Sequence, residues 1–554
     1  VSALNGVGEL GDALELDMQG SGDEFISVTT TTGDILLSEL VGNMSIKRIQ
    51  TGSGDITLSA QGSILDVVDE GADSADSGSL NYASSLPKAD VVGNNISLTA
   101  TTGNIGLSGN DLDINAAANT AGSLTTSSGL STYLIETEGD LSIDTIDSGL
   151  VGGAVNTSEA FILSFGRILN SRSTGVNVNS GKVQLFAVGD IGTASKSLET
   201  QIGFLEGKSE TGNVWLTNTG HLVVGGLANE KGLTAIGNID LKANSPITID
   251  KDLRSTDGDI SISSSDEADP LADFLLIEND IEVIAEAGSI FLNSGDNLTI
   301  SSGAKVFAAQ SLSITLEADN ADAEGVDMLV DGTIVATDIS VNAAGDNDNL
   351  TFNTAIANDV INDALGNKLS DIVVNNFIVN TGAGNDSVVF NENISAVTVA
   401  IDLGDGNNQL NLAASKALST SSFNLTTGLD NDTLIFAGAL NSTGTLDIVT
   451  GAGVDQLDFQ DDVNGTAVTI DLGDGDNQFD LAASKILTAS SFDLTTGLDN
   501  DTLIFAGALN STGTLDIVTG AGVDQLDFQD DVNGTAVTID LGDGDNQFDL
   551  AASK

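Results

Sequence analysis

The 554-residue chain has no cysteine, one histidine, three prolines and only 17 Lys+Arg against 81 Asp+Glu. Without cysteine there is no disulfide framework, no thiolate metal site and no thiol nucleophile. A lone histidine, His221, excludes a His-based zinc site and weighs against a His-assisted hydrolase. With a formal net charge of −64, the clustered Lys/Arg that phosphate contacts need cannot form, which excludes nucleic-acid binding. An anionic membrane surface repels the chain for the same reason. No apolar run approaches the roughly 18 residues of a membrane span. The strongest is Phe274-Leu275-Leu276-Ile277, so no membrane insertion is expected.

What is present is apolar. Hydrophobic residues make up 40% of the chain, and the mean hydropathy is +0.13. Disorder needs low hydrophobicity together with high charge, so a folded chain is expected. The 63 glycines belong to its corners.

Repetition organises the sequence. Ala417–Lys485 recurs as Ile486–Lys554, a period of 69 residues with substitutions at only four positions: Ala417/Ile486, Ser419/Thr488, Thr420/Ala489 and Asn424/Asp493. A divergent earlier copy closes on the same Ala-Ala-Ser-Lys at Lys416. No atypical capping sequence closes the array, so it is expected to continue beyond Lys554. Glycine-centred loops divide each unit into three, at Gly382, Gly404, Gly428, Gly451, Gly473, Gly497, Gly520 and Gly542, spaced by 22 to 24 residues. Between them apolar residues alternate with Asp or Thr, as in Val468-Thr469-Ile470-Asp471-Leu472 and Gln478-Phe479-Asp480-Leu481. That alternation is the pattern of a strand buried on one face. Two strands and two loops fit in about 23 residues. The spacing predicts an all-β fold, a right-handed parallel β-helix or β-solenoid with one coil per 22–24 residues in the C-terminal array. Phe479, Leu481, Phe492 and Leu494 would face inward. The strand aspartates Asp471, Asp480, Asp516 and Asp527 would face water and keep the solenoid soluble.

Residues 1–353 repeat in the same style but irregularly. Strands begin at Gly33-Asp34-Ile35, Gly54-Asp55-Ile56, Gly103-Asn104-Ile105, Gly139-Asp140-Leu141, Gly237-Asn238-Ile239 and Gly258-Asp259-Ile260. Glycine supplies the corner's backbone angles and Asp or Asn tolerates the next position. Glu70–Ala89 and Ser264–Ala272 are expected to be inserted loops. Residues 354–371, with Ile356, Val360, Ile361 and Leu365, are expected to form a junction containing a short helix. The regular array then occupies 372–554.

The Gly-Asp-Ile-Thr-Leu and Gly-Asn-Ile-Gly-Leu strand starts over residues 25–350 resemble those of filamentous-haemagglutinin-type adhesins and other large bacterial β-helical surface proteins. The resemblance implies an exported, extracellular or cell-surface protein of a bacterium with a mechanical and adhesive role. The regular corners resemble the calcium-binding nonapeptide of RTX proteins. Thr450–Asp458 matches it with Thr for the first Gly and Asp455 at the key position, and Thr381–Val389 does so with Asp386. Thr427–Ile435 carries Asp430 for the third Gly and keeps Asp432; Leu472–Asp480 puts Asn477 at the key position beside Asp474 and Asp476. RTX motifs recur every nine residues and line both edges. Here each coil has one motif, so one edge alone would hold metal.

Coils about 4.8 Å apart place corner carboxylates where two unit charges repel by roughly 3–4 kcal/mol at a near-surface dielectric of about 20. Asp430, Asp455, Asp474, Asp499, Asp524 and Asp543 are expected to form one such column. A hard divalent ion between neighbouring corners reverses the sign of the interaction, and Ca²⁺ accepts carboxylate and carbonyl oxygens in flexible geometry. The candidate calcium ligands are therefore Asp386, Asp405, Asp430, Asp432, Asp455, Asp474, Asp476, Asp499, Asp501, Asp524, Asp543 and Asp545. A second reading makes the same residues solvated turn aspartates that cap local backbone groups and block edge-to-edge aggregation.

Catalysis is not expected. Pectin-cleaving β-helices use a unique cluster of Asp with Lys or Arg, and near-identical copies hold none. The irregular part offers only scattered residues: Arg167, Arg172, Lys182, Lys208 and His221, the last read as a turn residue. Trp215 reads as core first and as a strand-face contact second. The function expected is a stalk, fibre or filament element of a giant exported adhesin, stabilised by calcium. At about 4.8 Å per coil the whole chain would span roughly 120 Å. The alternatives are a subunit that self-assembles end to end into an extracellular filament, and a polysaccharide-binding or -cleaving β-helix. Glycan or a neighbouring cell surface would be met through the inserted loops.

Overall fold

The computed structural model describes residues 1–18, 24–67, 88–116, 122–149, 157–227, 232–265, 273–316, 325–343, 345–357, 359–362 and 368–551, with backbone alone for 359–362 and 368–372. Among them every element is a strand. The fold is a parallel β-solenoid of about 21 turns. The chain divides into two compact units, Val1–Ser264 and Ser265–Lys554.

In the first unit the Gly-Asp-Ile starts become strands as the alternation requires. Ile35–Glu39, Ile56–Ala60, Ile96–Ala100 and Leu124–Ser128 stack in parallel. Their register puts Ile35, Ile56, Ile96 and Leu124 in one column and Leu37, Leu58, Leu98 and Thr126 in the next. All eight are buried. Val214–Asn218, Ile239–Ala243 and Ile260–Ser264 repeat the arrangement further along. Each inward residue thus loses water on every side, while its sequence neighbours stay on the outer surface. Trp215 is on that outer surface: it is half-buried between buried Val214 and Leu216. The expectation that it belongs to the core fails, because strand alternation places it one residue out of phase with the inward columns.

In the second unit the strands Asn349–Phe352, Ser387–Phe390, Gln409–Leu412, Thr433–Phe436, Gln456–Phe459, Gln478–Leu481, Thr502–Phe505, Gln525–Phe528 and Gln547–Leu550 form one parallel stack. Its interior is aromatic. Seven of its phenylalanines, from Phe352 to Phe528, together with Phe377, Phe423 and Phe492 on the strands of another stack, are the largest fully buried side chains among the described residues. Ring centroids lie 5.4 Å apart at Phe436–Phe459, 4.8 Å at Phe479–Phe505 and 4.9 Å at Phe505–Phe528. Phe479, Leu481, Phe492 and Leu494 all face inward.

Two details depart from the sequence reading. Each regular coil has a third, short strand, such as Val463–Asn464 between Gln456–Phe459 and Ala467–Asp471. It buries Val463 alone in one coil, Leu487 with Ala489 in the next and Leu509 with Ser511 in the one after. Among the described residues of 354–371 the expected helix is absent. Asp359–Asn362 and Lys368–Ile372 pair antiparallel, in keeping with the strand preference of Val360-Ile361. This pair falls inside the second unit. The expected loops Glu70–Ala89 and Ser264–Ala272 lie outside the described residues, apart from 88–89 and 264–265.

Candidate cation site

The regular corners align as ten-residue segments at 381–390, 403–412, 427–436, 450–459, 472–481, 496–505, 519–528 and 541–550. The strand register fixes this alignment, and the parallel bridges Ala452↔Asp474 and Ala521↔Asp543 extend it to the third position. Glycine at the second position answers to crowding. Gly473 has φ 62°, and a Cβ there would stand 1.4 Å from Gly451 O of the coil before.

The twelve candidate ligands do not form one column. Asp405, Asp474 and Asp543 occupy the third position, Asp430 and Asp499 the fourth, Asp476 and Asp545 the fifth; all seven are exposed. Asp430 and Asp499 adopt φ 80° and 83°, where the neighbouring coils have glycine. Asp386, Asp432, Asp455, Asp501 and Asp524 occupy the sixth position, and each is 1% exposed. The expected single column of Asp430, Asp455, Asp474, Asp499, Asp524 and Asp543 mixes three positions, because the chain turns inward between the fifth and sixth residues.

The sixth position is a buried ladder: Asp348, Asp386, Asn408, Asp432, Asp455, Asn477, Asp501, Asp524 and Asn546. At every rung the backbone N–H donates to Oδ1 of the next rung, over 2.8–3.0 Å. The exposed aspartates form a second ladder of opposite sense. Leu429 N–H donates back to Asp405 Oδ1 at 3.0 Å, Leu498 N–H to Asp474 Oδ1 at 2.9 Å, and Asn500 N–H to Asp476 Oδ1 at 2.8 Å. Backbone groups that an irregular corner would leave unpaired are thereby satisfied.

The buried ladder leaves a deficit. Oδ2 of Asp348 accepts no hydrogen bond, and the carboxylates of Asp386, Asp432, Asp455 and Asp501 have beyond their axial N–H only a shared hydroxyl, that of Thr381, Thr427, Thr450 or Thr496. Burial pushes the Asp348 carboxyl up to about 7, helped by Asp386, Asp346 and Asp327. It pushes Asp432 and Asp501 up to about 6, with Asp455 and Asp524 as their negative neighbours. Asp386 and Asp455 are raised for the same first cause. The asparagine rungs show no such deficit. Asn408 Nδ2 donates to Gly404 O and Gly406 O, both at 3.0 Å, and Asn477 Nδ2 to Gly473 O at 3.1 Å.

The first position follows the sixth. It is Thr wherever the sixth is Asp (Thr381, Thr427, Thr450, Thr496, Thr519) and Leu wherever the sixth is Asn (Leu403, Leu472, Leu541). The Thr519 hydroxyl donates to Asp524 Oδ2 at 2.7 Å. The other four share their hydroxyl between a carbonyl of the next coil and the aspartate of their own corner. Asp348, whose corner has Ala343 in place of Thr, has the most strongly raised carboxyl of the ladder.

The scattered cationic residues of the first unit have structural partners. Arg167 pairs with Asp140 at 2.6 Å and Lys208 with Glu210 at 2.7 Å; Lys182 stands 3.9 Å from Glu159. Arg172 donates to Thr145 Oγ1 and to Val176 O. His221 follows the bend at Gly220 and lies 3.3 Å from Thr248 Oγ1. Comparison with protein-family models, curated proteins and solved structures yields no match.

Proposed function

We propose that this chain is a load-bearing segment of an exported bacterial surface protein, a stalk or fibre element of an adhesin, whose regular array is completed by calcium. The observation that supports this reading is the ladder of buried carboxylates, which adjoin one another in pairs and have at most a threonine hydroxyl on the second oxygen. Unpaired buried charge is strongly destabilising. A divalent cation removes the deficit, and the medium outside a cell supplies one.

The donor set fits Ca²⁺. Asp432 and Asp455, with Thr427 and Thr450 beside them, offer only oxygen, as hard cations require. Among the described residues no three acids converge on one point, so turn carbonyls must supply the remaining ligands. Calcium would contribute charge neutralisation at the corner; the apolar stack and the two hydrogen-bond ladders provide the rest of the fold. Because the ion binds the folded state, it stabilises by mass action, about 2.7 kcal/mol per site at a hundredfold excess over Kd.

The test is a thermal melt of the whole chain by circular dichroism in EGTA, in millimolar Ca²⁺ and in millimolar Mg²⁺. The expected result is one transition that rises steeply in Ca²⁺ alone and one that is unmoved. Superimposable melts in all three buffers would refute the calcium reading. Sedimentation of the intact protein under the same conditions then shows whether the folded form associates.

A further inference from the structure

Among the described residues three glutamates are buried, Glu39, Glu136 and Glu206, at 2%, 0% and 1% exposure. Each accepts, from a neighbouring coil, a backbone N–H near the start of a long connection between strands. Met18 N–H donates to Glu39 Oε2 at 3.1 Å, Ala116 N–H to Glu136 Oε2 at 3.0 Å and Leu227 N–H to Glu206 Oε1 at 3.2 Å. We propose that these glutamates are positioning residues that clamp the exits of the connections 17–25, 116–123 and 225–232, so that the sequence beyond each exit can change while its coil stays in register. The clamps belong to the first unit and act without calcium.

The register shows why an acceptor is needed. Glu39 ends the strand Ile35–Glu39 opposite Leu16, and Glu136 ends Thr132–Glu136 opposite Ile114. In both cases the clamped N–H lies two residues past the opposed one. A ladder continued that far would give it a backbone carbonyl, but the neighbouring coil has reached its corner. An N–H left unpaired there is costly. In the same column as Glu136, Ser164 and Ser209 accept an N–H of their own corner, from Gly166 at 3.2 Å and Gly212 at 3.1 Å. Glutamate does that and reaches further. Oε1 takes Val41 N–H at 3.2 Å in the Glu39 corner and Glu138 N–H at 3.5 Å in the Glu136 corner, which leaves Oε2 for the exit. Asn115 Nδ2 adds a second tie across the same two coils, to Glu138 Oε2 at 3.1 Å. Burial of the Glu136 carboxyl is unfavourable to its charge, and the two N–H groups it accepts offset part of that.

The test is amide hydrogen exchange on the intact chain, read at Ala116 with the remote strand residue Leu241 as control. The Ala116 amide is expected to be protected in the parent. In Glu136→Ala it should exchange about tenfold faster or more, with Leu241 unchanged. Glu136→Gln keeps an oxygen for Ala116 and should restore most of the protection. An insertion of about ten Gly/Ser residues between Asn119 and Thr120 then separates a clamp from an ordinary hydrogen bond. It should leave the parent's first melting transition in place and lower that of Glu136→Ala beyond the effect of the substitution alone. Should Glu136→Ala fail to fold, the same measurements on Glu39→Ala, with the Met18 amide and an insertion between Gln19 and Gly20, decide the matter. Equal exchange at Ala116 in the parent and Glu136→Ala would overturn the proposal. So would a Glu136→Gln protein that exchanges as fast as the alanine variant, or an insertion that lowers the parent's melting temperature as much as the variant's.

Discussion

The two halves of the chain use aspartate at the corner in opposite ways. In the first unit the aspartate of a Gly-Asp-Ile start sits at the surface and steadies the coil that follows. Asp55 N–H donates to Asp34 Oδ1 at 2.9 Å, and Asn95 N–H to Asp55 Oδ1 at 3.0 Å. Asn213, Asn238 and Asp259 continue the device on a later corner, their N–H groups reaching Asp190, Asn213 and Asn238. In the regular array the sixth-position aspartate is buried and steadies the coil before it. Both accept one axial N–H. At the surface the second oxygen can be hydrated; in the interior it depends on a threonine hydroxyl, as at Asp524 with Thr519 at 2.7 Å, and burial raises the carboxyl's pKa at Asp432 and Asp501. Burial of one atom separates a turn residue from a candidate metal ligand.

The cores differ as well, and here the largest single-residue effect is expected. The buried columns of the first unit are mainly aliphatic, rich in Ile, Leu and Val, whereas the array stacks phenylalanine on phenylalanine. Phe505 touches three rings, with centroids at 4.8 Å to Phe479, 6.2 Å to Phe492 and 4.9 Å to Phe528. Phe505→Ala is expected to destabilise the array by about 3–5 kcal/mol. Only the array's melting transition should fall, and its response to calcium should persist. Loss of both transitions together would show that the comparison between two separately melting units is wrong.

The pH dependence of the metal-free protein sharpens the contrast. A carboxyl whose folded pKa is raised favours folding when protonated. Its contribution is complete below the unfolded value near 4 and is lost as pH rises through the folded value. For Asp348 at about 7 and for Asp432 and Asp501 at about 6, the array in EGTA should be more stable at pH 4.5 than at pH 8. Most of the loss should fall between pH 4 and 7. Among the described carboxyls of the first unit the one shifted in the same direction is Glu136, which is fully buried and pushed up to about 8 by desolvation. Its carboxylate accepts Ala116 N–H at 3.0 Å. Glu136→Gln keeps an acceptor and removes the charge, so it should raise the first transition at pH 9 and leave it unchanged at pH 5. Asp140 works in the other direction: its hydrogen bonds from Arg167 hold the carboxyl below the usual range. Differential scanning calorimetry across pH 4–9 separates the two units' profiles.

The solenoid itself was legible because alternation and glycine spacing are local signals. Val468-Thr469-Ile470-Asp471 reads as a strand wherever it occurs, and stacking identical coils leaves one inward face. The candidate site was legible only as a composition. Nothing in Gly-Leu-Asp-Asn-Asp reveals that Asp430 meets water and Asp432 does not, since that depends on where the turn redirects the chain. A usable signal was nonetheless present. Thr427, Thr450 and Thr496 accompany Asp five residues on, and Leu403 and Leu472 accompany Asn at the same distance. An apolar residue exchanging in step with an amide marks both positions as interior. Trp215 shows the converse error, an apolar residue assigned inward by its type when the strand's phase puts it outside.

The smallest expected effect tests whether the surface aspartates are capping groups and nothing more. Asp55 Oδ1 receives the backbone N–H of Asn95 at 3.0 Å and the side-chain amides of Asn95 at 3.1 Å and Asn94 at 3.3 Å. Removing this acceptor by Asp55→Ala is expected to lower the first unit's stability by about 1 kcal/mol, the usual net worth of one hydrogen bond. Asp55→Asn keeps an oxygen at the same place and should recover most of that loss. Neither change should alter the number of calcium ions bound, since Asp55 is partly exposed where Asp455 is buried. If Asp55→Asn instead lowered calcium binding, or made the first transition insensitive to a calcium effect the parent shows there, the corners of the two units would be chemically alike. Burial would then not be what separates them.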